Sequence, residues 1–379
     1  MRLAINGWFL AHDQHTGTGQ YLRALLEWLP RLSEHAIHVV VPDPADLPAL
    51  PEAIHLHRIR CGATNLAKVR FEQSLFPRAC RELKADLAHI PYWAPSLSSP
   101  CPLVVTIHDL IPLVLAEYRG DWRVRLYTAL VSAAARGAAM VLADSEASRQ
   151  DILKHLGLPE AQVRTVYLAA DARYTPASGF LLDEAVKQKY DLPDGYVLYL
   201  GGFDARKNVQ ALLSAWTWAA NSVGEAYPLV LGGQLPRPDG KLFADYPRLA
   251  QELDLAGTVK FIGHVDESDK PALYRGASVF VFPSRYEGFG LPLLEAMACG
   301  VPVVCGNGGS LPEVVGNAGY VLPPHDTRAF GAAILTCLVE PTVSDDLRQR
   351  GLAQAKKFSW EKTARETLAA YEAVAREKR

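Results

Sequence analysis

The chain has 379 residues, 49% of them apolar and 21% charged, with a formal net charge of −2. That length exceeds what one ordinary core organises, so two domains are expected of an otherwise ordinary soluble globular composition. The near-neutral balance gives nucleic acid no bulk attraction, and six cysteines (61, 80, 101, 299, 305, 337) without C-x-x-C pairing point to reduced thiols, not to disulfides or a zinc site.

In chain order, Met1-Arg-Leu-Ala-Ile-Asn6 reads as a first strand and not as a signal peptide. No apolar run reaches the roughly 18 to 20 residues that span a bilayer. A cytoplasmic protein is expected. Further buried strands are predicted at residues 37–41, 87–90, 103–107 and 140–143, after a first one at 3–6. Tyr21, Leu22, Leu25, Leu26 and Leu29 recur at helical spacing. Just before them, Thr16-Gly17-Thr-Gly19-Gln-Tyr21 looks like a dinucleotide fingerprint, but Leu22 stands where a third glycine belongs, which discounts a nicotinamide cofactor. Thr106-Ile-His108-Asp109-Leu110 ends an apolar strand where an open α/β sheet presents ligands. His108, oriented by Asp109, is a candidate there; a purely structural histidine stays open. Ser145 reads as a helix N-cap with Glu146 in the first turn, which needs no chemistry.

After residues 163–168, the loop-rich run Ala169-Ala-Asp-Ala-Arg-Tyr-Thr-Pro-Ala-Ser-Gly179 is taken as an interdomain linker. A second series of strands follows at 196–200, 229–231, 259–262, 279–282 and 301–304. Such alternation implies mostly parallel sheets covered by helices, and two such halves on a linker make a cleft. Leu200-Gly-Gly-Phe-Asp-Ala-Arg206-Lys207-Asn208 brings adjacent cations to a strand end, suited to a diphosphate. Phe261-Ile-Gly263-His264-Val-Asp is a turn that either cradles a base or only joins strand to helix. Next comes Ser284-Arg-Tyr-Glu287-Gly-Phe-Gly-Leu-Pro-Leu-Leu-Glu295, a glycine turn opening a helix, with Pro292 just inside its start. Its free N–H groups and positive dipole end suit a phosphate. The last segment carries Trp360, Ala364, Leu368 and Tyr371 on one helical face.

The segment from Ser284 to Glu295 resembles the E-x7-E motif of retaining GT-B glycosyltransferases, those of family 4 that group with glycogen synthases and bacterial mannosyl- and glucosyltransferases. The resemblance implies an α/β fold of two Rossmann-like domains whose parallel sheets face across a cleft. Residues 1–174 would take the acceptor, 175–358 the nucleotide sugar, and 359–379 would form a helix crossing back to the first domain. It implies that Glu287 contacts hydroxyls of the donor sugar and Glu295 the ribose. The loop at Gly288, Phe289, Gly290 and Leu291 would bind the distal phosphate and sugar. Lys207 matches the family's lysine, whereas Gly202 stands where its arginine belongs, leaving Arg206 as the substitute. Gly263 and His264 fall at the base-cradling turn, Gly17 and Gly19 at a glycine loop between phosphates and acceptor, and His108 near the anomeric centre.

The activity implied is hexose transfer from a nucleotide-diphosphate sugar, GDP-mannose before UDP-glucose, to a glycan or lipid-linked acceptor in cell-surface polysaccharide or lipopolysaccharide assembly. Retention needs no protein nucleophile: the acceptor hydroxyl attacks from the leaving-group face and the departing phosphate takes its proton. No metal is expected, because Arg206, Lys207 and a helix dipole supply the positive charge. A nucleotide-sugar epimerase of the same fold is the alternative; a phosphorylase would need a Schiff-base lysine, and residues 287–311 contain none. Residues 58–84 hold seven basic side chains (58, 60, 68, 70, 78, 81, 84) against two acids (72, 82), and Arg119, Arg123 and Arg125 interleave with Trp122 and Tyr127. That mixture suits peripheral contact with an anionic membrane, at about 1 kcal/mol per basic residue; solvated helix faces are the plainer reading.

Overall fold

The structure is a computed structural model, and it describes residues 1–12, 16–44, 46–177, 179–239 and 241–377. The chain divides into two compact units, Met1–Leu168 with Ser359–Arg379, and Ala169–Phe358. The first unit thus closes at Leu168, where the boundary expected from the sequence lay at 174.

The first unit is built on seven strands: β1 (Arg2–Asn6), β2 (Ala36–Asp43), β3 (Ile54–Arg60), β4 (Leu87–Ile90), β5 (Leu103–Ile107), β6 (Met140–Ala143) and β7 (Val163–Thr165), in the order β3-β2-β1-β4-β5-β6-β7. The second has six: β8 (Val197–Leu200), β9 (Leu229–Gly232), β10 (Val259–Gly263), β11 (Val279–Phe282), β12 (Val303–Gly306) and β13 (Gly319–Leu322), in the order β10-β9-β8-β11-β12-β13. Every pairing is parallel. Central strands such as Val-Phe-Val-Phe at β11 are buried on both faces, as continuous apolar runs covered by helices must be. In each sheet the order reverses once, between β1 and β4 and between β8 and β11. Open α/β sheets take ligands beside the carboxyl ends of strands at such a point.

The helix Gly17–Leu32 is capped by Thr16, whose hydroxyl accepts from the Gly19 N–H, and it buries Tyr21, Leu22, Leu25, Leu26 and Leu29. The last helix, Trp360–Glu377, packs against it within the same unit. Thr363 donates to the Tyr167 carbonyl at 2.6 Å, and the Tyr371 hydroxyl meets His89 Nδ1 at 2.7 Å. His89 Nε2 in turn meets Thr106 Oγ1 at 2.9 Å, and Thr106 meets the Tyr21 hydroxyl at 3.0 Å. Among the described residues no helix is long and apolar enough to cross a membrane.

Candidate active site

The loops after β8 and β11 meet at the switch point of the second unit. After β8 the chain passes Gly201 and Gly202, whose carbonyl accepts from the Tyr199 hydroxyl, and enters a single turn at Ala205–Lys207. Asn208 then adopts the left-handed conformation at φ 59°, and its amide donates to the carbonyls of Pro283 (3.1 Å) and Pro324 (2.7 Å). The Arg285 N–H donates to the Arg206 carbonyl at 2.8 Å, so backbone and side chain together fix this loop to the one after β11.

That fixation brings three predicted residues into one group. Arg206 Nη1 lies 2.6 Å from Glu287 Oε2 and donates to the Tyr286 carbonyl at 2.9 Å. Lys207 Nζ lies 2.7 Å from Glu287 Oε1 and 4.7 Å from the centroid of the Phe282 ring. The side chains are 13%, 13% and 11% exposed, which takes this cluster out of the weak surface class of ion pairs. Burial raises the Glu287 carboxyl, but Lys207 and Arg206 outweigh it and hold the group below its usual range, hence ionised. Burial, helped by Arg206, lowers the Lys207 ammonium against the pull of Glu287. Asp204 adds a second carboxylate, its Oδ1 3.6 Å from Arg206 Nε, so two cations are balanced by two carboxylates.

From Glu287 the chain runs through the buried Gly288, Phe289 and Gly290 to the half-buried Leu291, first residue of the helix Leu291–Ala298. Gly290 has φ 104°, which L side chains rarely adopt, and that reversal turns the helix start back toward the loop. A second loop, after β12, braces it: Ser310 donates from its hydroxyl to the Phe289 carbonyl at 2.6 Å and from its N–H to the Glu287 carbonyl at 3.1 Å. A side chain on Gly309 would overlap that Glu287 carbonyl, so the two loops can approach only through glycine. Sequence reasoning missed this brace; its signal was the run Gly306-Asn-Gly-Gly-Ser310 straight after a strand.

Glu295 sits apart from the cluster. It is 5% exposed and accepts from the Tyr274 hydroxyl at 2.9 Å. Burial raises its carboxyl and Lys270 partly offsets this. Tyr174 stands edge-on to Tyr274 at 5.7 Å, so the carboxyl lies in an aromatic setting that spacing gave no hint of. Gly263 ends β10 at φ 71°, and the following His264 side chain is 71% exposed, 3.7 Å from Asp266.

In the first unit, His108 follows β5. Its Nδ1 meets Asp144 Oδ2 at 2.6 Å and its Nε2 meets the Pro91 carbonyl at 3.0 Å. The Pro91 carbonyl can only accept, so Nε2 donates to it. Burial lowers this group, but Asp144 more than offsets it and the net shift is upward. The carboxylate hydrogen-bonded to the ring is Asp144, one residue before the Ser145 cap, where Asp109 was expected; Asp109 accepts from the Ile111 N–H at 3.1 Å and adds a smaller upward pull on the ring. Ser145 accepts from the Ser148 N–H, as a cap does, and the Ser148 hydroxyl donates to the His108 carbonyl at 3.0 Å. Gly17 and Gly19 are likewise corrected from loop to helix, since both lie in the first turn of Gly17–Leu32; residues 13–15 before them lie outside the described residues.

Comparison with known proteins places these features. The model of glycosyl transferases group 1 matches residues 183–357, and that of glycosyltransferase family 4 matches residues 15–174. O-antigen chain mannosyltransferase B of Escherichia coli is 39% identical over 301 residues, 78% of this chain and 78% of that protein. Serotype-specific mannosyltransferase WbdA of Escherichia coli is 32% identical over 279 residues, 71% of this chain but 33% of that longer protein. Sucrose-phosphate synthase from Thermosynechococcus elongatus superposes with a TM-score of 0.78 over 99% of both chains at 23% identity, a likeness of fold alone.

Proposed function

The chain belongs to the glycosyltransferases of group 1 and family 4, and from that premise we propose a retaining hexosyltransferase that moves mannose from a nucleotide-diphosphate sugar to a glycan or lipid-linked acceptor in cell-surface polysaccharide assembly. The observation that carries the proposal is the buried Arg206–Lys207–Glu287 group at the β8/β11 switch point, beside the start of the helix Leu291–Ala298. In the free protein Glu287 partners both cations. A bound diphosphate would share them, and the freed carboxylate oxygens would accept from sugar hydroxyls. Arg206 then supplies the charge that Gly202 lacks. Gly288, Phe289, Gly290 and Leu291 would hold the distal phosphate and sugar, Glu295 the ribose, and the turn at Gly263 and His264 the base. No carboxylate is proposed as nucleophile, because Glu287 is engaged by two cations; the acceptor hydroxyl attacks from the leaving-group face and the phosphate takes its proton. His108, held between Asp144 and the Pro91 carbonyl, is proposed to lie near the anomeric centre of the transferred sugar and to hold it. Gly17 and Gly19 remain proposed on the phosphate side through the N–H groups of their helix turn.

Mannose is favoured because both Escherichia coli relatives are mannosyltransferases; UDP-glucose stands second. The positive charge of the clamp is proposed to replace a metal. A cytoplasmic location with peripheral contact to an anionic membrane completes the proposal. The surface supporting it differs from the one counted along the sequence: Arg78 is paired with Glu82 at 2.8 Å and Lys68 with Glu72 at 3.6 Å, whereas Trp122, Leu126 and Leu66 are 67%, 64% and 80% exposed. Purified protein should release nucleotide from GDP-mannose with EDTA present, and the product should keep the donor's anomeric configuration by NMR. Inversion of configuration would end the retaining reading, and preference for UDP-glucose the mannose one.

A further inference from the structure

The stretch between β9 and the helix Tyr246–Glu252 folds back over the loop after β8. The Ala205 N–H donates to the Leu242 carbonyl at 2.7 Å, and Asp204 forms an isolated antiparallel bridge with Phe243. Asp239 shapes the returning turn by accepting from the N–H groups of Lys241, Leu242 and Phe243 at 2.8, 2.8 and 2.9 Å. Between the two segments lies a cavity of about 270 Å³, with Ala205, Asn208, Lys241, Tyr246 and Arg285 in its lining. Tyr246 is 2% exposed and its ring stands 5.7 Å from that of Phe203. Yet its hydroxyl has no hydrogen-bond partner among the described residues, and the Lys241 ammonium has no ion pair among them.

Buried polar groups are normally paired, so a buried tyrosine that lines a cavity with its hydroxyl open calls for a ligand. Burial and the charge of Asp204 push that hydroxyl up to about 12, so near neutrality it keeps a proton to donate. Lys241 and Arg285 are the charged residues of the lining, and no carboxylate is among them. The acids nearest along the chain are engaged elsewhere. Asp204 stands 3.6 Å from Arg206, Asp239 holds its turn, and Asp245 accepts from the Arg248 N–H at 3.1 Å. Two cations and a hydroxyl donor without an acid select an anion rich in acceptor oxygens, which a phosphate group is. The volume falls just short of the roughly 300 to 1,000 Å³ that drug-sized ligands occupy, so the molecule carrying the phosphate is small. None of the proposed donor contacts Arg206, Lys207, Glu287 and Glu295 lines the cavity. We propose that Lys241, Tyr246 and Arg285 form a second anion site, distinct from the donor clamp, for the phosphate group of a small molecule.

Ala205 and Asn208 of its wall flank Arg206 and Lys207, so the experiment fills the clamp first. Glucose 6-phosphate and inorganic phosphate are each titrated by calorimetry into protein saturated with nucleoside diphosphate. The wild type should bind at least one of them. Tighter binding of the sugar phosphate assigns the site to an organic phosphate, and equal binding assigns it to the free ion. Lys241→Gln, at an exposed position, and Tyr246→Phe, which removes only the hydroxyl, should each weaken that binding about tenfold and leave nucleoside diphosphate affinity unchanged. Absence of phosphate binding once nucleotide is bound, or unchanged affinity in both variants, overturns the site and leaves the donor reading standing. A wild type that binds no nucleotide strikes the donor reading instead, and the two variants then decide the cavity by the phosphate titration alone.

Discussion

Glu287 is the residue on which the second unit's chemistry and stability meet. Removing a carboxylate from between two buried cations costs about 3 to 5 kcal/mol. Glu287→Ala should therefore lower the melting temperature by roughly 6 to 20 °C. A nucleoside diphosphate would then replace the carboxylate lost to Lys207 and share Arg206 with Asp204, so it should raise the variant's melting temperature more than the wild type's. Equal shifts by differential scanning fluorimetry would contradict the shared-partner account. Lys207→Ala should cut turnover or donor affinity about ten- to a hundredfold, the size of one charge-assisted contact. In the first unit the corresponding residue is His108. Its shift is upward, so its contribution to stability is complete below the unfolded value of about 6.5 and is lost as pH rises through the folded value. Asp144→Asn removes the partner. Melting temperatures recorded from pH 6 to 9 should fall with pH more steeply in the wild type than in that variant; parallel curves would show that the pair does not set the dependence.

At the scale of elements, the last helix is tied to the sheet through the buried hydrogen bond between Tyr371 and His89. Burial lowers the His89 ring to about 3, so the ring is neutral and stability falls as pH drops below about 6.5, by at most about 1.4 kcal/mol per unit. His89→Phe should flatten that acid limb in chemical denaturation at pH 4 to 6.5, and an unaltered limb would remove His89 as its cause. Tyr371→Phe leaves Nδ1 unpaired and should cost about 1 to 3 kcal/mol near neutrality. The central strands were legible because burial on both faces writes itself as an unbroken apolar run, as in Leu-Val-Val-Thr-Ile at β5. The edge strands β3 and β13 were not: Ile-His-Leu-His-Arg-Ile-Arg keeps one face wet, and Gly-Tyr-Val-Leu is four residues of only partial burial. The site divided in the same way. The glutamates and Lys207 were legible because a helix start with fixed spacing is a local pattern. Asp144 was not, because it reaches His108 across 36 residues through the pairing of β5 with β6. Nor was the Ser310 brace, which exists only where two loops touch.

For the molecule as a whole, the membrane proposal places the anchoring on exposed apolar side chains more than on basic count. Trp122→Ser with Leu126→Ser should abolish flotation with phosphatidylglycerol vesicles at low salt, and Arg78→Ser should not. Failure of the wild type to float would leave a soluble acceptor as the better reading. The division into units also bears on how the protein is made. The second unit is one uninterrupted stretch, Ala169–Phe358, while the first needs Ser359 onward to cover Tyr21 and His89. On a ribosome the later-encoded unit is therefore ready first, and the earlier-encoded one waits, with an incomplete hydrophobic face, until the segment from Ser359 onward has been made. A nascent chain stalled at residue 358 should resist protease across its second half and be cut in its first. The earlier-encoded of the two units is thus the one that matures later, and its exposure to chaperones is set by when the helix Trp360–Glu377 emerges.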